Sequence, residues 1–141
     1  MKKKKGIIKL VNGITVNFFG FACEANDNYL EGLVSDFNEY SNNNNLDIDV
    51  HKILISSANS TTSIDEYSNS IEALLNKGSD KYDLLMINSL YVNHLRDFIA
   101  ELDKYVSKDI IDKYIKGVTS KIGFIDDKLL AIVYIYNYYY N

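Results

Sequence analysis

The chain has 141 residues, 47% of them hydrophobic, which is enough for one domain around one core and too short for two to be expected. A formal net charge of -4 and a pI near 5.1 leave no basic face to neutralise phosphates, so a nucleic-acid surface is not expected. Cys23 is the only cysteine, which excludes an intrachain disulfide and a thiolate metal cluster within one chain, and no uninterrupted apolar run approaches the ~20 residues of a membrane span.

Residues 1–12 carry lysines at 2–5 ahead of Ile7, Ile8, Leu10 and Val11. Lys9 and Asn12 interrupt the apolar stretch, so the segment is expected to be a solvated tail or an eroded signal segment. Residues 14–19 (ITVNFF) are β-branched and aromatic and lie between Gly13 and Gly20, the pattern of a first strand. Tyr29, Leu30, Leu33, Val34, Phe37 and Tyr40 then recur at helical spacing, which predicts one amphipathic face, ended by the asparagines at 42–45. Residues 46–55 (LDIDVHKILI) begin by alternating and finish apolar, as a strand entering a covered sheet does.

Ser63-Ile64-Asp65-Glu66 has the form of a capping box opening a second helix. Its stripe is Ile64, Tyr67, Ile71, Leu74 and Leu75, and Gly78 supplies the stop. Residues 82–88 (YDLLMIN) read as a third strand. Strand, helix, strand, helix, strand predicts an α/β fold, a parallel βαβαβ sheet with helices on both faces. Beyond it, residues 92–99 suggest a short helix and residues 102–106 a turn or strand fragment. Ser107 is placed to cap a helix with Ile110, Ile111, Tyr114, Ile115 and Val118 on its stripe. Residues 122–125, a turn at Asp126-Asp127 and residues 128–133 form a hairpin pattern that leads into a tyrosine-rich end. That end, residues 129–141 (LLAIVYIYNYYYN), reads as strand, and its backbone needs a partner edge.

Chemistry-bearing constellations are few. Asp47, Asp49 and His51 alternate, so a strand would present all three on one face; the plainer reading is the polar side of a strand whose apolar side is Leu46, Ile48 and Val50. His94 has no acidic or cysteine neighbour at ligand spacing, and Asp126 and Asp127 suit a turn better than an acid/base pair. Gly20 stands alone after the first strand, so no phosphate loop is present, and no convergent titratable set or cofactor motif points to an enzyme. Asn59-Ser60-Thr61 is a glycosylation sequon, meaningful if the chain is secreted. In a parallel α/β sheet ligands meet the loops leaving the carboxyl ends of strands, here residues 20–27, 56–62 and 88–93. These hold Phe21, Glu24, Asp27, Ser57, Asn59, Asn88, Ser89 and Tyr91, a polar and aromatic mixture suited to a neutral hydroxylated ligand.

The run SSANSTTSIDEY at 56–67, with LVSDFNEY at 33–40 before it and KYDL at 81–84 after it, resembles solute-binding proteins of anaerobic gut fungi. These are relatives of bacterial extracellular solute-binding proteins of the maltose-binding type, with the type 2 periplasmic-binding-protein fold, and some are fused to class C G-protein-coupled receptor helices. The likeness covers most of residues 14–141 and is strongest between residues 33 and 83. It implies a non-catalytic, extracellular lobe for a small solute such as an oligosaccharide, occupying residues 13–133, with residues 134–141 entering a truncated hinge strand. The family's GKxxGLP approach to the hinge stands here as DKLLAIV at 127–133, its glycines and proline replaced. The implied partners are the solute and a second lobe; the alternative is an interaction or structural remnant pairing through its tyrosine-rich edge.

Overall fold

The computed structural model describes residues 13–22, 24–56, 63–115 and 119–132. They fall into two compact units, one built from residues up to 63 together with 79–86, the other from residues 64–78 and 87 onward.

The first unit is an α/β layer. Strand β1 (Ile14–Ala22) leads into helix α1 (Glu24–Asn43), and strand β2 (Ile48–Ser56) follows it. β1 pairs in parallel with β2 over nine residues, Ile14 opposite Ile48 through Ala22 opposite Ser56. On its other side β1 pairs in parallel with β3 (Leu84–Leu85), which gives the order β2-β1-β3 and makes the first strand the central one. The predicted third strand of residues 82–88 is thus only two residues long. Asp83 limits it: its carboxylate accepts the Asn17 N–H at 2.8 Å, while the Asp83 and Met86 N–H groups bond the Asn17 and Phe19 carbonyls at 2.9 Å each.

Side chains alternate across the sheet. Ile48, Val50, Lys52 and Leu54 share one face of β2, and Lys52 is ion-paired with Glu31, so α1 lies over that face. On the opposite face Phe19 is buried and its ring stacks on Tyr82 at 4.5 Å. Asp49 and His51 are exposed on that face and contact each other at 2.7 Å. Asp47 does not join them as the alternation predicts, because its φ of 53° sets it in the left-handed region just before the strand begins.

The predicted face of α1 divides in two. Leu30 is buried and Val34 half-buried, whereas Tyr29, Leu33, Phe37 and Tyr40 are exposed. The stripe turned to the sheet continues from Leu30 and Val34 through Asn38 to Ser41, which is 1% exposed. A helix side chain is buried when it faces the sheet, and the apolar width of this helix exceeds what one sheet face covers.

In the second unit, α2 (Ile64–Asn76) begins directly after Ser63. It ends as expected, with the Gly78 N–H on the Leu75 carbonyl at 2.8 Å and Gly78 at φ 66°, a conformation that suits glycine. Tyr67, Ser68 and Ile71 form its buried side, while Ile64 is largely exposed. Residues 92–98 form turns instead of the short helix that the pattern suggests over residues 92–99, following a 3-10 turn at Ser89–Tyr91, and Leu102–Lys104 form a 3-10 turn, the turn alternative for residues 102–106. Helix α3 (Lys108–Tyr114) starts after Ser107, but the Ser107 side chain makes no capping bond; its carbonyl accepts the Ile110 and Ile111 N–H groups. Val118 lies outside the described residues.

A four-residue helix, α4 (Thr119–Ile122), precedes the expected hairpin of β4 (Phe124–Ile125) and β5 (Lys128–Leu129). Asp126 and Asp127 both have positive φ, the requirement of a two-residue turn matched to strand twist. Val92, Leu95, Leu129 and Leu130 are buried, with Tyr67 and Ile71 from α2. The tyrosine-rich residues 133–141 lie outside the described residues. Among the described residues no helix is long and apolar enough to cross a membrane.

Candidate functional site

β1 and β2 end level at the carboxyl rim of the sheet, Phe21 opposite Ile55 and Ala22 opposite Ser56. Just below the rim a Cβ on Gly20 would stand 2.8 Å from the Leu54 side chain and 3.1 Å from the Phe18 ring, so the glycine lets both close over the strand. Phe21 is half-buried at the end of β1. The loop expected over residues 20–27 is not a loop: β1 continues to Ala22 and α1 begins at Glu24, which sets Glu24 and Asp27 in the first helical turn. Ser57 and Asn59 lie outside the described residues.

Asn88, Ser89 and Tyr91 fall in the second unit and share one turn. The Asn88 side chain accepts the Leu90 N–H at 3.0 Å and so caps that turn. The Tyr91 hydroxyl donates to Asp65 at 3.1 Å, and its pKa is raised because the Asp65 carboxylate holds the proton in place. Ser89 is exposed. His94 meets Glu72 on α2 at 3.0 Å, a carboxylate that sequence spacing does not bring to it.

The most ordered polar geometry lies away from the rim, along the outer edge of β2. The Ile14 N–H bonds the Asp47 carbonyl at 2.7 Å, so odd-numbered backbone groups of β2 turn toward β1 and even-numbered ones toward the open edge. Ile48 and Val50 therefore point outward, and α1 satisfies both. The Ser41 hydroxyl accepts the Ile48 N–H at 3.1 Å and donates to its carbonyl at 2.5 Å. The Asn38 amide accepts the Val50 N–H at 2.8 Å and donates to its carbonyl at 3.0 Å. Two helix side chains thus take the place of a neighbouring strand along the first part of the edge, where unpaired groups would invite another chain. Neither residue stands out in the sequence by its type. Their signal was there: at 38 and 41 they prolong the spacing of Leu30 and Val34 with polar residues, which is unusual on a buried stripe unless backbone is being bonded.

A concavity of about 610 Å³ runs beside this edge, lined by Glu31, Ser35, Asn38, His51 and Lys52 among others. Another, of about 490 Å³, opens at the amino ends of the strands beside Gly13, Asn42 and Asp47. In the second unit a hollow of about 430 Å³ is walled by charge. There Arg96 meets Asp126 at 3.3 Å, and Glu101 sits between Lys104 at 2.5 Å and Lys128 at 2.6 Å. The two ammonium groups hold the Glu101 pKa below its ordinary value, the Lys104 hydrogen bond contributing most, and Glu101 raises that of Lys104 in return. Each carboxylate in these pairs is already engaged by a cation, so none of them is left free for a ligand. Among the described residues no group of three or more histidines, cysteines or carboxylates is placed to hold a metal ion.

No family model matches this chain, and neither curated proteins nor solved structures give a match to it.

Proposed function

We propose that this chain is a non-catalytic solute-binding lobe, built as one lobe of a type 2 periplasmic-binding-protein fold and taking a neutral hydroxylated ligand of the carbohydrate class. The observation that carries the reading is the strand order. With β2-β1-β3 all parallel, the direction of the connections reverses at β1, and in open α/β sheets ligands gather beyond the carboxyl ends of the strands at such a reversal. Phe21 stands at that end of β1, Glu24 and Asp27 follow it in α1, and Ser57 and Asn59 follow β2 in the sequence. An aromatic ring stacks on the apolar face of a sugar, and carboxylates, amides and hydroxyls bond its hydroxyl groups. The resemblance over residues 33–83 supports the same class, an extracellular setting and glycosylation at Asn59.

A single lobe encloses only part of a ligand, so affinity in the millimolar range is expected. The test is a titration of the isotope-labelled chain with maltose, cellobiose and xylobiose, followed by amide shifts. Saturable shifts at residues 20–27, weakened about tenfold by Phe21→Ala, are the expected result. If no sugar moves those amides at tens of millimolar, the reading fails.

A further inference from the structure

The outer face of α1 is the surface that the fold leaves unexplained. Tyr29, Leu33, Phe37 and Tyr40 recur at four, four and three residues and are 54%, 44%, 37% and 58% exposed. The helix meets the sheet through Leu30, Val34, Asn38 and Ser41, so this stripe is a second apolar face and not a poorly buried first one. It extends about 17 Å along the axis at 1.5 Å per residue. Asp36 stands three residues after Leu33 and four before Tyr40, which makes it their neighbour on the helix surface, and Glu39 lies one turn further along the same flank. Both carboxylates are exposed, and neither has an ion-pair partner among the described residues. On that flank Gly32 opens a gap: a Cβ there would meet nothing within 4 Å.

We propose that this face docks a basic amphipathic helix, rich in lysine or arginine, from a partner protein. Three requirements select that occupant. The aliphatic and aromatic side chains need an apolar face opposite them. Asp36 and Glu39 need cations beside it, and the rings of Tyr29, Phe37 and Tyr40 attract ammonium or guanidinium groups whose stems cover apolar surface. A second copy of the chain would bring the same two carboxylates and the same net charge of -4 against the face, and an anionic membrane surface is repelled by them too. The inference does not depend on the solute-binding reading, since it uses only the outer side of α1.

The test titrates the full chain with two designed probes, a helical peptide of leucine and lysine at heptad spacing and its leucine and glutamate counterpart, by calorimetry at low and moderate salt. The lysine probe is expected to bind and the glutamate probe not to. Leu33→Gln with Tyr40→Gln should weaken the lysine probe about tenfold, and Asp36→Lys with Glu39→Lys should invert the preference toward the glutamate probe. Asp36→Asn with Glu39→Gln keeps the apolar stripe and helix and should weaken the lysine probe with a flatter salt dependence. Far-UV circular dichroism checks that each variant folds. Equal binding of the lysine probe to the parent and the Leu33/Tyr40 variant would reduce the effect to bulk charge attraction and overturn the proposal. So would sedimentation showing a dimer of the parent chain that the Leu33/Tyr40 variant no longer forms.

Discussion

Helices α1 and α2 each carry an apolar stripe but use it in opposite ways. In α2 the apolar stripe is the buried one, with Tyr67 and Ile71 each 1% exposed. In α1 the more aromatic face is left outward, and two polar residues, Asn38 and Ser41, occupy the sheet-facing side. The face that a helix buries is chosen by what its neighbour lacks. Where β2 offers two residues with unpaired outward N–H and carbonyl groups, hydrogen-bonding capacity outweighs hydrophobicity, because a buried orphan backbone group costs about 1–3 kcal/mol.

Ile71→Ala removes a fully buried aliphatic side chain and should cost about 2–4 kcal/mol in urea unfolding. A loss below about 1 kcal/mol would mean that the α2 stripe is not core. On the α1 side, Asn38→Ala with Ser41→Ala removes four hydrogen bonds to β2 and should cost about 2–3 kcal/mol. The same variant uncovers a strand edge, so light scattering should show concentration-dependent association that the parent lacks. If stability and association are both unchanged, the helix does not shield the edge.

Smaller effects sharpen the picture. Leu33→Gln lies on the outward face and should change stability by less than about 1 kcal/mol, although the sequence pattern puts Leu33 at the centre of the apolar run. In the second unit Glu101 has a folded pKa below its ordinary value of 4.5, so its stabilising contribution is present above that value and is lost as pH falls through the lowered one. Lys104 is shifted the other way, above 10.5, so its contribution is present below that value and is lost as pH rises through the raised one. Glu101→Gln should flatten the acid limb of a stability profile and leave the neutral region nearly level, because the cluster is solvent-screened.

Much of the architecture is legible in local patterns. β-branched runs bounded by glycine gave β1, the Ser63 cap position and Gly78 bracketed α2, and the Asp126-Asp127 pair marked the turn of the hairpin. The rim was legible less well. Glu24 and Asp27 read as loop because polar residues near a glycine look like one, whereas β1 runs to Ala22 and α1 begins at Glu24. Asn88 and Tyr91 read as ligand groups, but each is engaged locally, one as a cap and the other on Asp65. The Asn88 cap spans two residues and is a local signal, whereas nothing in the chain order announces the Tyr91 bond, since its partner lies 26 residues away.

The residues alone determined that this is an α/β chain with parallel strands, because periodicity and end signals act over a few positions and need no tertiary partner. Only the folded arrangement decided which strand is central, which side of α1 is buried and which polar groups stay available to a ligand. Those outcomes depend on how backbone groups of distant segments pair, and pairing across 66 residues, as between Asn17 and Asp83, is set by the whole sheet and not by either segment.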